Sequence, residues 1–501
     1  SNTYSINKPE AFLSSKSLER RTKNRIALKE HDLPVSSTYL DQVKTTGARI
    51  LFPLKWINGA LIAQKPSELR KTLALGCVKG LYWNFPADSS QANQIQSGTL
   101  STNSSPDYGN SITQITQLGI DQMHAKGITG KGTLITLLDD GFKNANTINY
   151  LQNLFTDKRV IATLTTDPTT TSIYNAGGHG TNVLSTIAGY ESGKIIGTAY
   201  HASFALAQTE ESNHELIVEE ANWLRGAEWA DSLGTDILSS SLGYSTFDNP
   251  QHNHLYSDLN GKSTLVSKAA AWAASKGIIC TISAGNEGAN AWKFITAPAD
   301  ADSILTVGSV NALGSLSAFS SIGPSFDQRI KPDVVAMGGS TLVGFLDGTV
   351  GISNGTSFSA PLVAGLAAGL TQAFPRHTAQ QIRTAILKSG NQFSAPDMLR
   401  GFGIPNYEKA STLMELILGN EPKLSAISIF PNPISPGSPL HIKMPTEKAE
   451  VDMINGAGEI VHTFRLDQSE SSIYLGPFVS GKYYFRFTTE STTQTLAVLL
   501  L

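Results

Sequence analysis

The sequence predicts an α/β protein built on a doubly wound parallel sheet, with a small α+β unit ahead of it and a small all-β sandwich behind. Three observations predict it. Between about residues 111 and 415, short apolar runs alternate with helical spacing, as a sheet wrapped on both faces requires. Residues 1 to 86 carry 14 Lys and Arg against 6 Asp and Glu, and the remainder 24 against 35, so the basic start (+8) is set apart from a body of −11. After about residue 425 only short alternating strands remain.

In the basic segment, Pro9 to Leu28 has helical spacing and Tyr39 to Thr46 a second, shorter helix, while Arg49 to Leu54 and Ile57 to Ala63 read as strands. Residues 88 to 110 contain no basic residue and almost no large apolar one, the composition of an exposed linker. The predicted domains are therefore 1–87, a linker at 88–110, 111–418 and 427–501.

In the central part, Leu134 to Leu138, Asp236 to Leu242 and Ile278 to Ser283 are predicted strands. Glu215 to Leu233 and Thr264 to Lys276 are helices stopped by Gly234 and Gly277. Motifs at the ends of such strands lie where open α/β sheets place their sites. The terminal part supplies strands at 440–444, 450–454, 459–466, 472–475, 482–488 and 494–499, with Asn455-Gly456 as a hairpin turn between two of them.

The chain of 501 residues, 40% hydrophobic and 16% charged with a net charge of −3, has no preference for polyanions, which excludes nucleic acid as a partner. No apolar run reaches the ~20 residues that span a bilayer, so no transmembrane segment is expected. Cys77 and Cys280 fall in different predicted domains and read as apolar fillers rather than a disulfide.

Four short motifs carry chemistry. Ser357, in Asn354-Gly355-Thr356-Ser357-Phe358-Ser359-Ala360-Pro361, opens an apolar helix, where its hydroxyl and N–H meet the positive helix end; by itself the motif reads equally as an N-cap. His179 lies in Gly178-His179-Gly180-Thr181 at another helix start, between glycines that admit close approach of backbone. Asp139 ends the apolar strand before Asp140-Gly141, and Asn286 follows a buried strand in Ala284-Gly285-Asn286; each alone could be a turn residue.

Taken in order, these segments resemble the subtilisin family over about residues 111 to 410. Asp139 matches the aspartate of the strand-end Asp-x-Gly motif, His179 the histidine of His-Gly-Thr, and Ser357 the serine of Gly-Thr-Ser-x-x-x-Pro. Asn286 matches the oxyanion asparagine of Ala-Gly-Asn. Ser241, Leu242, Gly243, Ala284 and Gly285 match the edges of the substrate cleft. Asp140 stands where the better-known members carry serine or threonine, and the glycine two positions after Asp139 selects Asp139 as the partner of the histidine. The resemblance implies a serine endopeptidase acting on protein or peptide substrates, with no cofactor or metal in its mechanism. Such enzymes often carry structural calcium; the oxygen-rich Asp258-Leu259-Asn260-Gly261 lacks a full ligand spacing.

The flanks carry resemblances too. Pro9 to Ser14, Arg20-Arg21, Asp32-Leu33-Pro34-Val35 and Lys55-Trp56-Ile57-Asn58 resemble the propeptide of exported subtilisin-like proteases of the Bacteroidetes type, implying a zymogen whose own prodomain docks in cis as chaperone and inhibitor. Phe430-Pro431-Asn432-Pro433, Gly456 to Val461 and Gly481-Lys482-Tyr483-Tyr484 resemble the sorting domain recognised by type IX secretion machinery, implying a secreted or outer-surface protein. The competing reading, a surface protein that keeps the cleft without turnover, is set against four matched chemical residues.

Overall fold

The computed structural model describes residues 4–82, 106–420 and 427–500, apart from 168, 212–213, 436, 445–447, 457, 477 and 490–492. One compact unit runs to Met414 and a second begins at Glu415.

The helical spacing over 9 to 28 resolves into a turn at Pro9–Ala11 and a separate helix α1 (Ser15–Lys23). Ser14 makes the break, because its hydroxyl accepts Ser17 N at 3.1 Å and starts a new helix. Arg25, at φ 56°, keeps the helix from running on. Next come α2 (Ser37–Lys44), strand β1 (Arg49–Leu54) paired antiparallel with β2 (Gly59–Ala63), and α3 (Leu69–Leu73). The strand expected from Ile57 begins two residues later, since Lys55–Ile57 forms a tight turn closed by Asn58 at φ 46°.

The body continues with α4 (Ile112–Gln117), α5 (Ile120–Ala125), β3 (Leu134–Asp139), α6 (Gln152–Thr156), β4 (Val160–Thr165) and α7 (His179–Ala188). A short hairpin, β5 (Tyr190–Glu191) and β6 (Ile195–Ile196), leads to β7 (Ser203–Gln208), α8 (Val218–Leu233), β8 (Ile237–Ser240), α9 (Leu265–Ser275) and β9 (Ile279–Ser283). Then follow β10 (Leu305–Val310), β11 (Val334–Met337), a hairpin of β12 (Thr341–Gly344) and β13 (Val350–Ser353), α10 (Thr356–Ala373), α11 (Ala379–Ser389) and α12 (Tyr407–Asn420). Helix α8 starts later than the expected Glu215, because the Glu219 carboxylate accepts Leu216 N (2.7 Å) and Glu211 N (2.8 Å) and holds the chain there in a turn.

The seven-stranded sheet has the order β11-β10-β9-β8-β3-β7-β4, and every neighbouring pair is parallel. Helix α10 lies across β8, β9, β10 and β11 and packs on α7, while α8 and α9 pack together over β3, β7 and β9. Buried Trp223 hydrogen-bonds Ser240 Oγ at 2.9 Å, satisfying its indole inside that layer. Helix α10 approaches its neighbours closely enough that a methyl on Gly365 would lie 1.8 Å from Thr198 Oγ1. The chain enters β7 from one flank of β3 and β8 from the other, so the strand order switches beside the C-terminal end of β3, which is where Asp139 stands.

The expected linker falls mostly outside the described residues. Its last part, 106–110, is folded: Gly193 N donates to Asp107 O at 2.8 Å, and Tyr108 stacks on His124 with ring centroids 5.8 Å apart. Cys280 is buried and Cys77 half-buried, both free.

The second unit is a sandwich of antiparallel strands β14 (Ser428–Phe430), β15 (Pro439–Lys443), β16 (Ala449–Ile454), β17 (Ile460–Leu466), β18 (Glu470–Tyr474), β19 (Gly481–Thr488) and β20 (Thr493–Leu500). They form sheets β14-β15-β18 and β17-β16-β19-β20 around Leu440, Val451, Met453, Phe485, Phe487 and Val498. β14 escaped the sequence reading because it has three residues and runs into Pro431. The turn at 455 is wider than the two-residue hairpin expected. Asn455 N bonds Glu459 O at 2.9 Å, and Gly458 supplies the positive φ of 88°.

Candidate active site

Three central strands end at one place. Asp139 is the last residue of β3, Ser241 follows β8, and Asn286 lies three residues beyond β9; helices α7 and α10 begin there with His179 and Thr356-Ser357. The buried Asp139 carboxylate places Oδ1 at 2.7 Å from His179 Nδ1 and accepts Asp140 N at 3.0 Å. Gly180 makes this approach feasible, since a methyl there would lie 2.4 Å from Gly141 O and 2.9 Å from Asp139 Cβ.

Ser357 is held by a consequence of the sequence. Pro361 lacks an N–H, so the Ser357 carbonyl loses its ordinary i+4 helical donor. The Ser241 hydroxyl replaces it at 2.8 Å. Ser357 Oγ in turn points to Ser241 O, 3.4 Å away, rather than bonding the imidazole. Contacts of that kind are often long before substrate arrives.

Asn286 Oδ1 accepts from Thr356 N (2.9 Å) and Thr356 Oγ1 (3.0 Å). That fixes the amide with its acceptor turned inward, leaving the Nδ2 group as a donor on the cleft side.

Burial lowers the His179 pKa, but the Asp139 carboxylate, its hydrogen bond and Asp140 outweigh it and raise the value to about 9. Burial and the Asp139 charge push Asp140 up to about 6, although its Oδ1 accepts Gly180 N at 3.2 Å at the start of α7. A carboxylate at this helix start also favours the N-terminal end of α7.

His179, Asn286 and Ser357 line one cleft of about 730 Å³, and Asp139 joins it through His179. Ser241, Leu242, Gly243, Ala284 and Gly285 do not line that cleft. Ser241 and Ala284 are buried, and Leu242 and Gly285 half-buried. Gly243 and Gly285 both back onto Thr296, while Tyr244 pairs with Ala297 and Thr296 N bonds Ala284 O at 3.1 Å, so the two segments form a braced rim. The cleft is lined also by Phe345-Leu346-Asp347, from the β12–β13 hairpin, and by Phe358. Nothing in the sequence marked that hairpin except the turn residues Asp347-Gly348.

Asp258–Gly261 closes a turn on its own side chains. The Asp258 carboxylate accepts Leu255 N at 2.8 Å, Asn260 Oδ1 accepts Lys262 N at 2.9 Å, and the Asn260 amide donates to Ser257 O.

The model of the Subtilase family matches residues 130–404, more than half of the chain. The chain belongs to the subtilase family. Subtilisin NAT of Bacillus subtilis subsp. natto is 30% identical over 310 residues, 61% of this chain and 72% of that protein. Subtilisin of Bacillus pumilus is 30% identical over 304 residues, 59% of this chain and 97% of that protein. Residues 1–99 match the Peptidase S8 propeptide domain of Bacteroidota, and 428–500 the secretion system C-terminal sorting domain. This subtilase is therefore a serine endopeptidase made as a zymogen. Its type IX sorting domain directs it to the cell surface or medium.

Proposed function

We propose that this subtilase cleaves peptide bonds through an acyl-enzyme, with Ser357 as nucleophile, His179 as general base and acid, Asp139 as the partner of the imidazole and Asn286 as an oxyanion donor. The observation that supports it most is the convergence of His179, Asn286 and Ser357 on one cleft, with Asp139 at 2.7 Å behind the histidine.

Ser357 Oγ turns from Ser241 O toward the imidazole, gives up its proton and attacks the scissile carbonyl. Asp139 holds the Nδ1 tautomer and stabilises the imidazolium, which then protonates the leaving amine. The Asn286 amide and the Ser357 N–H receive the negative oxygen of the tetrahedral intermediate. Water repeats the sequence on the acyl-enzyme.

The segments Ser241-Leu242-Gly243 and Ala284-Gly285-Asn286 offer no ionised side chain that could pair with a charged P1 residue. The expected preference is for uncharged, mostly apolar P1 residues; a peptide-library profile dominated by Arg or Asp at P1 would contradict it.

Ser241→Ala should lower kcat and destabilise the fold by ~1–3 kcal/mol, since it strands the buried Ser357 carbonyl. Ser241→Thr, which keeps the hydroxyl, should recover most of both. Parallel melting and turnover measurements test this, and an Ala variant with wild-type kcat would dismiss the role.

Asp140→Asn should move the acid limb of kcat/KM to lower pH by on the order of one unit. The reaction needs neutral imidazole; removing a nearby negative charge favours that form, so the base appears at lower pH. A pH–rate profile unchanged by the substitution would show that Asp140 does not act on His179.

A further inference from the structure

We infer that the N-terminal unit is not released when the linker is cut: it is stapled to the edge of the sheet opposite the cleft and remains a non-covalent subunit of the active enzyme. The inference rests on the protease reading above and on scission between residues 88 and 110.

The catalytic groups stand at the C-terminal ends of β3, β8 and β9, whereas α1 docks where the chain enters those same strands. Lys16 Nζ donates to Gly132 O at 3.0 Å and pairs with Asp236 at 2.8 Å. Arg20 Nη1 donates to Thr235 O at 2.7 Å and Arg20 Nε to Lys276 O at 3.1 Å. Asn24 lies against Gly277, and its Oδ1 accepts Ala379 N, the first residue of α11, at 2.8 Å. Strands of this length separate the two edges by roughly 13–20 Å. Among the described residues, none of 4–82 lines the cleft. The attachment of α1 therefore holds without any of these residues entering the cleft.

The attachment is also buried. Asp231, in the last turn of α8, receives Arg20 (2.5 Å), Arg21 (2.9 Å) and Lys55 (3.2 Å) from the N-terminal unit. Arg21 also reaches Asp32 at 3.1 Å, and Asp32 pairs with Lys276 of the body at 2.6 Å. The charges thus alternate across the interface, and each of these six side chains is less than 10% exposed. Beside them, the Glu228 carboxylate accepts the backbone N–H groups of Lys55 and Trp56 at 2.9 and 2.8 Å, and Trp56 packs edge-on against Trp272. Attraction between a basic segment and an acidic body would be screened over a Debye length of ~8 Å at physiological salt; a buried network is screened far less. Pulling out one partner strands the rest as unpaired buried charges, so the network lets go as a whole or not at all.

The test places the recognition sequence of a site-specific protease between residues 88 and 100 of the full chain carrying Ser357→Ala, so that cutting does not depend on the enzyme itself. After cutting, size exclusion in about 0.1 M and about 1 M NaCl should return both fragments in one peak at both salts. Arg20→Met and Arg21→Met, which keep the aliphatic stems, should each shorten retention at least tenfold. Arginine variants that hold as long as the parent would overturn the role of the network. The chain with Ser357 intact, which cuts its own linker, should likewise give a co-eluting complex, and that complex should hydrolyse a peptide amide. Separation of the parent fragments at the lower salt would overturn the inference, as would a complex that becomes active only after the fragment is stripped away. A stripped body that neither hydrolyses peptide nor takes a fluorophosphonate would instead overturn the protease reading, leaving the retention result to stand alone.

Discussion

Ser357→Ala is expected to lower kcat by about 10⁶, the size known for the nucleophile of subtilisins, and to leave the chain uncut between residues 88 and 110. Both effects have one origin. Hydrolysis needs a hydroxyl that His179 can deprotonate, and alanine has none. The linker, whose residues 88–105 lie outside the described residues, is attached at both ends to the unit that carries the cleft, so its bonds reach the nucleophile at a high effective concentration. Leu100-Ser101 is the favoured bond, as Leu100 is one of only two large aliphatic residues in a polar run. Intact masses of wild type and variant purified from one host provide the check. A Ser357→Ala chain clipped as efficiently as wild type would assign processing to another protease. His179→Ala should be nearly as severe, and the double variant scarcely worse than either, because the two groups act as a unit.

Asn286→Ala is expected to reduce kcat by about 10²–10³ with little change in KM, the magnitude known for this donor in subtilisins. Asn286→Asp separates the two ends of the side chain. It keeps an oxygen for Thr356 N and Oγ1, which Asn286 Oδ1 now serves at 2.9 and 3.0 Å, but replaces the cleft-side donor by an acceptor with negative charge. The Asp variant should therefore fold normally and turn over no faster than the Ala variant. Steady-state kinetics on a peptide substrate decide it. An Asp variant with near wild-type kcat would limit Asn286 to holding the Ser357 loop, and an effect confined to KM would remove it from transition-state stabilisation.

The alternating pattern of the central region revealed the parallel sheet because buried strands such as Leu134–Asp139 and glycine-stopped helices leave periodic traces within one stretch of chain. The four residues proposed for the chemistry stood out as short motifs at strand ends and helix starts. What the motifs did not disclose is why they take that form. The need for Ser241 appears only when Pro361 is seen to deprive Ser357 of a donor 116 residues away from the hydroxyl that replaces it. The β12–β13 lining of the cleft was illegible for a similar reason, since Phe345 and Leu346 look like any apolar residues until the fold brings them into one cleft with Asn286. The basic character of the N-terminal unit was plain from composition, whereas its burial against Asp231 was not, because Arg20 and Asp231 lie 211 residues apart. Helix starts were misplaced where a side chain captured the backbone, as Ser14 and Glu219 do.

The most direct measurement of the central claim is fluorophosphonate labelling of the processed enzyme followed by peptide mapping. The label should fall on the peptide that contains Ser357 and be lost in Ser357→Ala. Its rate should fall in His179→Ala, while Ser241→Thr still reacts. A processed, folded chain that takes no label, or takes it on another serine, would contradict the assignment of Ser357 as nucleophile.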